Sequence, residues 1–244
     1  MRAMRYLLVA LALLIPAGTP ASADDNNVDL LLVLAADVSR SVDYPKFKLQ
    51  REGYASAATN PQVLNAITSG VNGRIAVTFV EWAGYGQQEI VVDWTLIDGP
   101  EAAGQFSEQV LKAPRSFADR TSISEAIDFS VGLFAQAPYK SPRRTIDISG
   151  DGTNNSGPSV QMARDAAVAQ GITINGLVIL TPAPEAWNAY HTNPPGGLEE
   201  YYRQSVIGGP GAFVVAAEDF NSFGQAIVKK LIAEIASLDA QHAR

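Results

Sequence analysis

The stretch VDLLLVLAADVSRS, Val28 to Ser41, constrains the fold more than any other part of the sequence. Residues 28–36 are apolar with one exception, which is typical of a strand buried on both faces of a parallel sheet. The run ends in Asp37, Ser39 and Ser41, at alternate positions. Ligands bind at the carboxyl ends of strands in open α/β sheets, and three hard oxygen donors suit Mg²⁺, Mn²⁺ or Ca²⁺. We therefore expect a cation site at the end of this first strand.

The N-terminus has the pattern of a secretory signal peptide. A basic start containing Arg2 and Arg5 precedes the apolar segment YLLVALALLIPAG, and the small residues of 21–23 follow. This segment is short for a membrane-spanning helix, which needs about 20 residues; an uncleaved N-terminal anchor is the alternative. We predict a signal peptide over residues 1–23 and one mature domain over residues 24–244, periplasmic or secreted.

Charge and composition exclude several classes of function. Cleavage would leave 16 basic residues against 25 acidic ones, a net charge of −9, which argues against nucleic acid or an anionic membrane as the main partner. The absence of cysteine removes disulfides, thiolate catalysis and cysteine-based zinc sites. With only His191 and His242, a histidine-rich metal site is excluded.

Predicted strands and helices alternate along the chain. The short turn 84–86 joins two strand segments closely enough to predict an antiparallel hairpin, which places residues 88–97 at a sheet edge. We predict an α/β fold with a doubly wound, mostly parallel sheet of about six strands, one antiparallel edge strand and helices on both faces. The predicted strands are 28–36, 74–82, 88–97, 144–149, 172–180 and 212–217; the predicted helices follow Asp43 and cover 61–68, 100–112, 121–136, 160–170, a short stretch near 199–206, and 220–238.

Three loops carry oxygen donors at the same predicted edge of the sheet. Asp37, Ser39 and Ser41 follow the first strand, Thr121 precedes a helix, and Asp151 follows another strand. Loops at the carboxyl ends of parallel strands lie on one side, so these residues can converge. Taken singly, the serines could cap a helix and Asp151 could be a turn residue. Together they suit a hard cation with room for water.

These motifs resemble the metal-ion-dependent adhesion site of von Willebrand factor type A domains. The resemblance is carried by DVSRS after a buried strand, TSISEAI opening a helix, and SGDG after a strand. A narrower resemblance, to an uncharacterised exported bacterial branch described as a domain of unknown function, is carried by QREGYASA, FVEWAG, DISGDGTNN and VIGGPGAFVV.

The resemblance implies a role for each candidate ligand. Ser39, Ser41 and Thr121 would offer hydroxyls to the ion, preferably Mg²⁺. Asp37 and Asp151 would hold the ion mainly through waters. An open position of the ion would accept an Asp or Glu carboxylate from a protein partner. The leading interpretation is therefore a non-enzymatic, divalent-metal-dependent binding module.

Two other functions remain open. In a metal-assisted hydrolase of phosphate esters, Asp37 would be the nucleophile. Such enzymes usually have a second aspartate two residues further on as the general acid, but this chain has Ser39 at that position. No G-x-S-x-G motif supports a serine hydrolase. The third interpretation is a domain of the same fold that binds its partner without metal.

Several residues near the motifs have simpler interpretations. Asp147 lies about 13 Å back along the strand from Asp151, so we expect it to be structural with a charged partner, for example an arginine. If the strand ended earlier, Asp147 would replace Asp151 as a ligand. We expect His191 to be exposed, within the Pro-rich segment 181–211. Arg40 and Asn154 flank the predicted site, and we expect them to face either a partner or solvent. We expect Trp82 to pack in the core or at the edge of the sheet.

Overall fold

The computed structural model describes residues 26–182 and 189–236, where the chain forms a six-stranded sheet. The predicted signal peptide, residues 1–23, and Leu238 of the last predicted helix lie outside the described residues. The strands are β1 (Leu31–Asp37), β2 (Ile75–Trp82), β3 (Gln88–Ile97), β4 (Arg144–Gly150), β5 (Thr173–Ile179) and β6 (Val214–Ala217). Their order is β3-β2-β1-β4-β5-β6, and all neighbours are parallel except β2 and β3. The predicted fold, with its antiparallel edge strand, is confirmed.

Helices cover both faces of this sheet. They are α1 (Tyr44–Ala58), α2 (Pro61–Thr68), α3 (Pro100–Lys112), α4 (Ile123–Phe134), α5 (Val160–Ala169), α6 (Ala189–Thr192), α7 (Leu198–Tyr201), a π-helical turn (Tyr202–Val206) and α8 (Phe223–Ala236). One core lies under α1, α2, α3 and α8, and a second lies under α4, α5 and the π-helical turn. Two helical layers therefore enclose the sheet. Within the described ranges, no helix combines the length and apolar character needed to cross a membrane.

Strand β1 lies at the centre of the sheet, and every one of its residues is buried. Leu32 and Leu34 face one core while Leu31 and Val33 face the other, because successive side chains of a strand point to opposite faces. β1 begins at Leu31, three residues after the apolar run begins at Val28, so Asp29 lies outside the strand. The carboxylate of Asp29 accepts hydrogen bonds from the turn before β2 instead. The position of β1 places its carboxyl end between β2 and β4.

Asp147 has a structural partner, as expected, but that partner is a lysine and not the arginine given as an example. The side chain of Asp147 forms an ion pair with Lys230 of α8, with Nζ 2.7 Å from Oδ1. Lys230 also pairs with Glu234, which accepts a hydrogen bond from the side-chain amide of Asn175 at 2.8 Å. All four side chains are buried. Burial raises the pKa of Asp147 to about 7, and Lys230 opposes that rise, so the charge state of Asp147 depends on this lysine.

The segment 181–211 differs most from its prediction. In place of one short helix near 199–206, its described part contains α6, α7 and the π-helical turn. Residues 174 and 208 form an isolated antiparallel bridge at the start of β5. Elsewhere in the segment, the carbonyl of His191 accepts from the N–H of Thr153, and the hydroxyl of Tyr201 accepts from the N–H of Asn154. The segment therefore packs beside the loop after β4, next to the predicted site.

Candidate functional site

The loop after β1 is shaped by Asp37, the last residue of that strand. Its Oδ1 accepts a hydrogen bond from the backbone N–H of Ser39 at 2.7 Å, which turns the chain sharply. The N-cap of α1 is Asp43, whose carboxylate accepts from the N–H of Lys46 at 2.9 Å. The alternative in which Ser39 and Ser41 cap this helix is therefore wrong, and their hydroxyls make other contacts.

Those contacts join the loops after β1 and β4. The hydroxyl of Ser41 donates to Oδ1 of Asp151 at 2.5 Å and lies 3.2 Å from the hydroxyl of Ser39. Lys46 donates to the carbonyl of Ser41 at 2.7 Å, and its Nζ is 3.8 Å from Oδ2 of Asp151. Residues separated by more than a hundred positions in the sequence thus share one small polar cluster.

Thr121 joins this cluster through the loop after β4. Its N–H donates to the side-chain oxygen of Asn155 at 2.9 Å, and its carbonyl accepts from the N–H groups of Asn155 and Ser156. Thr121 and Ser41 line one small cavity of about 80 Å³. The structure therefore brings Thr121 and Ser41, from different loops, to the same small cavity.

The two carboxylates are the most unusual feature of the cluster. Asp37 and Asp151 are fully buried, and among the described residues Oδ2 of each has no hydrogen-bond partner. Buried polar atoms without partners are costly and rare. Burial raises the pKa of Asp37 to about 8, and the nearby Asp151 contributes to that rise. Burial also raises the pKa of Asp151, against the opposing effects of Ser41 and Lys46. The site needs positive charge, from protons or from a cation.

The donor atoms fit a hard divalent cation. Within the described ranges, no three Asp, Glu or His side chains cluster closely enough to hold an ion by themselves. Hydroxyl oxygens would therefore have to complete any coordination, as the pattern of two carboxylates with Ser39, Ser41 and Thr121 predicts. All five of these side chains are buried. Oxygen donors with water suit Mg²⁺, Mn²⁺ or Ca²⁺.

Gly150 and Tyr202 enclose the site from β4 and the π-helical turn, and the sequence pattern indicated neither. A Cβ at Gly150 would lie 2.7 Å from the hydroxyl oxygen of Tyr202 and 3.0 Å from Oδ2 of Asp37. Glycine is therefore needed where these polar atoms converge. The ring of Tyr202 packs in the apolar core, which is why its sequence position suggested only packing.

The prediction that His191 is exposed is wrong. The side chain is partly buried, with Nε2 3.3 Å from the hydroxyl of Thr121 and Nδ1 3.2 Å from that of Thr153. Burial lowers the pKa of His191. The imidazole packs onto Gly152, because a Cβ there would lie only 2.0 Å from Nε2. In the sequence, only Gly152, directly after Asp151, indicated that another group approaches the loop after β4.

Of the remaining residues near the site, one is exposed and the others are buried or make structural contacts. Arg40 is exposed and lines the cavity. The side-chain oxygen of Asn154 accepts from the N–H of Ser124 at 3.2 Å and so stabilises the start of α4. Trp82 is fully buried. Asp147 lies within β4 and pairs with Lys230, whereas Asp151 contacts Ser41.

The fold is that of von Willebrand factor type A domains. Similar solved structures include a von Willebrand factor type A protein from Catenulispora acidiphila, with 14% identity and a TM-score of 0.58, covering 85% of this chain and 43% of that one. The mussel byssus proximal thread matrix protein 1, solved with a zinc-occupied MIDAS motif, has 14% identity and a TM-score of 0.57, covering 86% and 48%. The pilus adhesin SpaC from Lactobacillus rhamnosus GG has 12% identity and a TM-score of 0.60, covering 87% and 31%.

The chain thus spans about half or less of the length of these solved structures. No curated protein matches the sequence. Residues 27–239 match the family model described as "Protein of unknown function (DUF1194)", and the chain belongs to that family. Similarity at these identities shows the fold.

Proposed function

We propose that the protein is an exported, non-enzymatic binding module that uses a divalent cation to bind a protein partner. The observation that carries this proposal is the pair of buried carboxylates, Asp37 and Asp151, each with an unpartnered oxygen beside buried hydroxyls. The proposed ligands are Asp37, Ser39, Ser41, Thr121 and Asp151, and the proposed ion is Mg²⁺, with Mn²⁺ or Ca²⁺ as alternatives. Export is proposed from the signal-peptide pattern of residues 1–23.

The hydrogen bonds of the site prepare its hydroxyls to bind a cation. Because Ser41 donates its proton to Asp151, the lone pairs of that hydroxyl remain available, and the carboxylate increases their donor strength. Asp37 holds the backbone of Ser39, which fixes the loop that carries both serines. A divalent ion held there would supply positive charge and an open coordination position for a partner's carboxylate.

The surface around the cavity suits an acidic partner. Arg40 and Arg120 are exposed and line the cavity, although the whole chain carries a net charge of −7. Tyr85 and Tyr190 are 67% and 84% exposed. The N–H of Tyr85 donates to the hydroxyl of Ser156, and Tyr190 directly precedes His191. Arginine and tyrosine are enriched at protein interfaces. A partner that offers Asp or Glu would find basic and aromatic contacts around the proposed ion.

A metal-assisted hydrolase of phosphate esters is less well supported. Asp37 is fully buried and holds the N–H of Ser39, so its geometry serves the loop rather than an attack on substrate. The position expected for the general acid is Ser39. Turnover of generic phosphate esters that is abolished in Asp37→Ala would favour this enzyme over the binding module.

Addition of saturating Mg²⁺ or Mn²⁺ is expected to raise the melting temperature by about 5–10 °C relative to EDTA. Ligand at one hundred times its dissociation constant stabilises the folded state by about 2.7 kcal/mol, and about 2–4 °C corresponds to each kcal/mol at this size. The measurement is a thermal melt followed by circular dichroism. Ser41→Ala should lose the response, while Ser56→Ala, at an exposed position of α1, should retain it. Identical melting curves with EDTA and with every ion would contradict the proposal.

Partner binding is tested separately by capture from an envelope extract. The wild-type protein should retain its partner in Mg²⁺ or Mn²⁺ and release it in EDTA, and Asp37→Ala should retain nothing. If Asp37→Ala loses the response to metal but still captures the same partner, the metal-independent binding domain is the better interpretation.

A further inference from the structure

The imidazole of His191 is held in one orientation at the rim of the candidate site. Nδ1 lies 3.2 Å from the hydroxyl of Thr153, and the backbone carbonyl of His191 accepts from the N–H of Thr153 at 3.0 Å. The ring rests on Gly152, where no side chain interferes. Nε2 therefore points toward Thr121, 3.3 Å from its hydroxyl oxygen. Both residues line the cavity that Ser41 also lines.

The separation of Nε2 and the threonine hydroxyl matches two ligands of one ion. Adjacent ligands of an octahedral cation, at about 2.1 Å from the metal, are about 3.0 Å apart. The observed 3.3 Å needs only a small movement to reach that value. A metal-bound imidazole usually donates from its other ring nitrogen to a polar group that fixes the ring. Nδ1 of His191 would donate to the hydroxyl of Thr153, and the side-chain nitrogen of Asn155 also lies 3.4 Å from Nδ1.

We propose that Nε2 of His191 is a further ligand of the cation at this site, so that the site binds transition-metal ions such as Zn²⁺ and Co²⁺ more tightly than Mg²⁺ or Ca²⁺. This inference rests on the proposed function and refines its choice of ion. Imidazole nitrogen suits zinc and its neighbours, whereas magnesium and calcium prefer oxygen. The oxygen donors Ser39, Ser41 and Thr121 fit either class of ion, so His191 is the residue that decides selectivity.

The two carboxylates would not be direct ligands together with His191. Among the described residues, no three Asp, Glu or His side chains group tightly enough to bind one ion directly. The hydroxyls and one imidazole would therefore be the direct ligands, with Asp37 and Asp151 behind them. Ser41 already links the two layers through its hydrogen bond to Asp151. His191 would add a ligand without adding negative charge, and it would fill a position otherwise left to water.

The first test is titration calorimetry of the purified protein with ZnCl₂ and with MgCl₂. His191→Ala should weaken Zn²⁺ binding by about tenfold or more and change Mg²⁺ binding by less than about threefold, since Mg²⁺ prefers oxygen ligands. The matched control is His242→Ala, at the only other histidine of the sequence, which should change neither affinity. Thr153→Ala, which removes one of the two polar contacts of Nδ1 of His191, should lower Zn²⁺ affinity by a smaller factor.

A second measurement reports the nitrogen ligand directly. The visible absorption of bound Co²⁺ depends on its ligands, so the spectrum of the wild-type protein should change in His191→Ala and stay unchanged in His242→Ala. Thermal melts in EDTA check that all variants fold, and equal melting temperatures are expected because His191 is only partly buried.

The outcomes separate this inference from the proposed function. If the wild-type protein binds Mg²⁺ or Zn²⁺ but His191→Ala binds Zn²⁺ equally well, the histidine ligand is rejected and the oxygen site remains. Tighter binding of Mg²⁺ than of Zn²⁺ by the wild-type protein would also reject it. If the wild-type protein binds no divalent ion, both proposals fail.

Discussion

The Lys230→Met variant is expected to lose about 3–5 kcal/mol of unfolding free energy at pH 7, the usual cost of removing one partner from a buried ion pair. Lys230 has no exposed surface and pairs with Asp147 and Glu234, which are also buried. Methionine keeps the length and apolar stem of the lysine but removes the ammonium that pairs with both carboxylates. The folded variant must then bury negative charge or take up protons.

Urea denaturation in EDTA measures this loss. The matched control is Lys229→Met, because Lys229 is the preceding residue of α8 and is exposed; surface substitutions of this kind change stability by about 0.5 kcal/mol or less. The loss of unfolding free energy in Lys230→Met should be smaller at pH 5 than at pH 7. Burial already raises the pKa of Asp147 to about 7, and Lys230 opposes that rise, so without the lysine Asp147 takes up a proton more readily. A loss equal to that of Lys229→Met would show that the network contributes nothing net.

The sheet could be predicted from the sequence because its signals are local. The apolar run before Asp37 and the short turn around Tyr85 specify a central buried strand and an edge hairpin. The two sets of donors that follow β1 and β4 could also be predicted to meet, since parallel strands end on the same side of a sheet. Strand ends were less predictable: β1 starts at Leu31 because Asp29 bonds to a turn far along the chain.

The partners supplied by distant segments could not be predicted. Lys230 lies on the apolar face of α8, seven residues after Phe223 and three after Ile227. The carboxylate that it meets depends on how α8 packs against the sheet, so its pairing with Asp147 could not be predicted. His191 lies in a short helix within a Pro-rich segment, where neither periodicity nor a motif indicates its direction. Its contact with Thr121 depends on how that segment folds back over the loop after β4. The residues that tune the site thus come from tertiary packing.

In metal-free protein, Asp37→Asn is expected to become more stable relative to wild type as the pH rises from 5 to 8. The pKa of Asp37 is raised from 3.8 to about 8, mainly because burial disfavours the charged carboxylate. The folded state therefore binds the proton more tightly than the unfolded state. This contribution to stability is complete below about pH 4 and is lost as the pH rises toward 8, by at most about 1.4 kcal/mol per pH unit. Asparagine cannot ionise, and its side-chain oxygen can still accept from Ser39.

Urea denaturation in EDTA at several pH values provides the measurement, and the quantity compared is the difference in unfolding free energy between variant and wild type. This difference cancels the titrating groups that do not interact with Asp37, and it should grow with pH. Asp98→Asn, which replaces an exposed carboxylate, should run parallel to wild type. Parallel curves for Asp37→Asn between pH 5 and 8 would contradict the raised pKa.

The same proton makes cation binding depend on pH. A cation that needs Asp37 ionised must displace its proton, so the affinity of the wild-type protein for Mg²⁺ or Zn²⁺ should rise with pH, by at most about tenfold per unit, and level off near pH 8. Asp37→Asn should bind weakly. Calorimetry in buffers of different ionisation enthalpy counts the protons released, and release approaching one proton per ion is expected at pH 6–7. If no proton is released, Asp37 is already ionised in the metal-free protein or does not face the ion. In the first case, the metal-free protein carries the cost of burying the charge of Asp37, and cation binding recovers that cost as binding free energy.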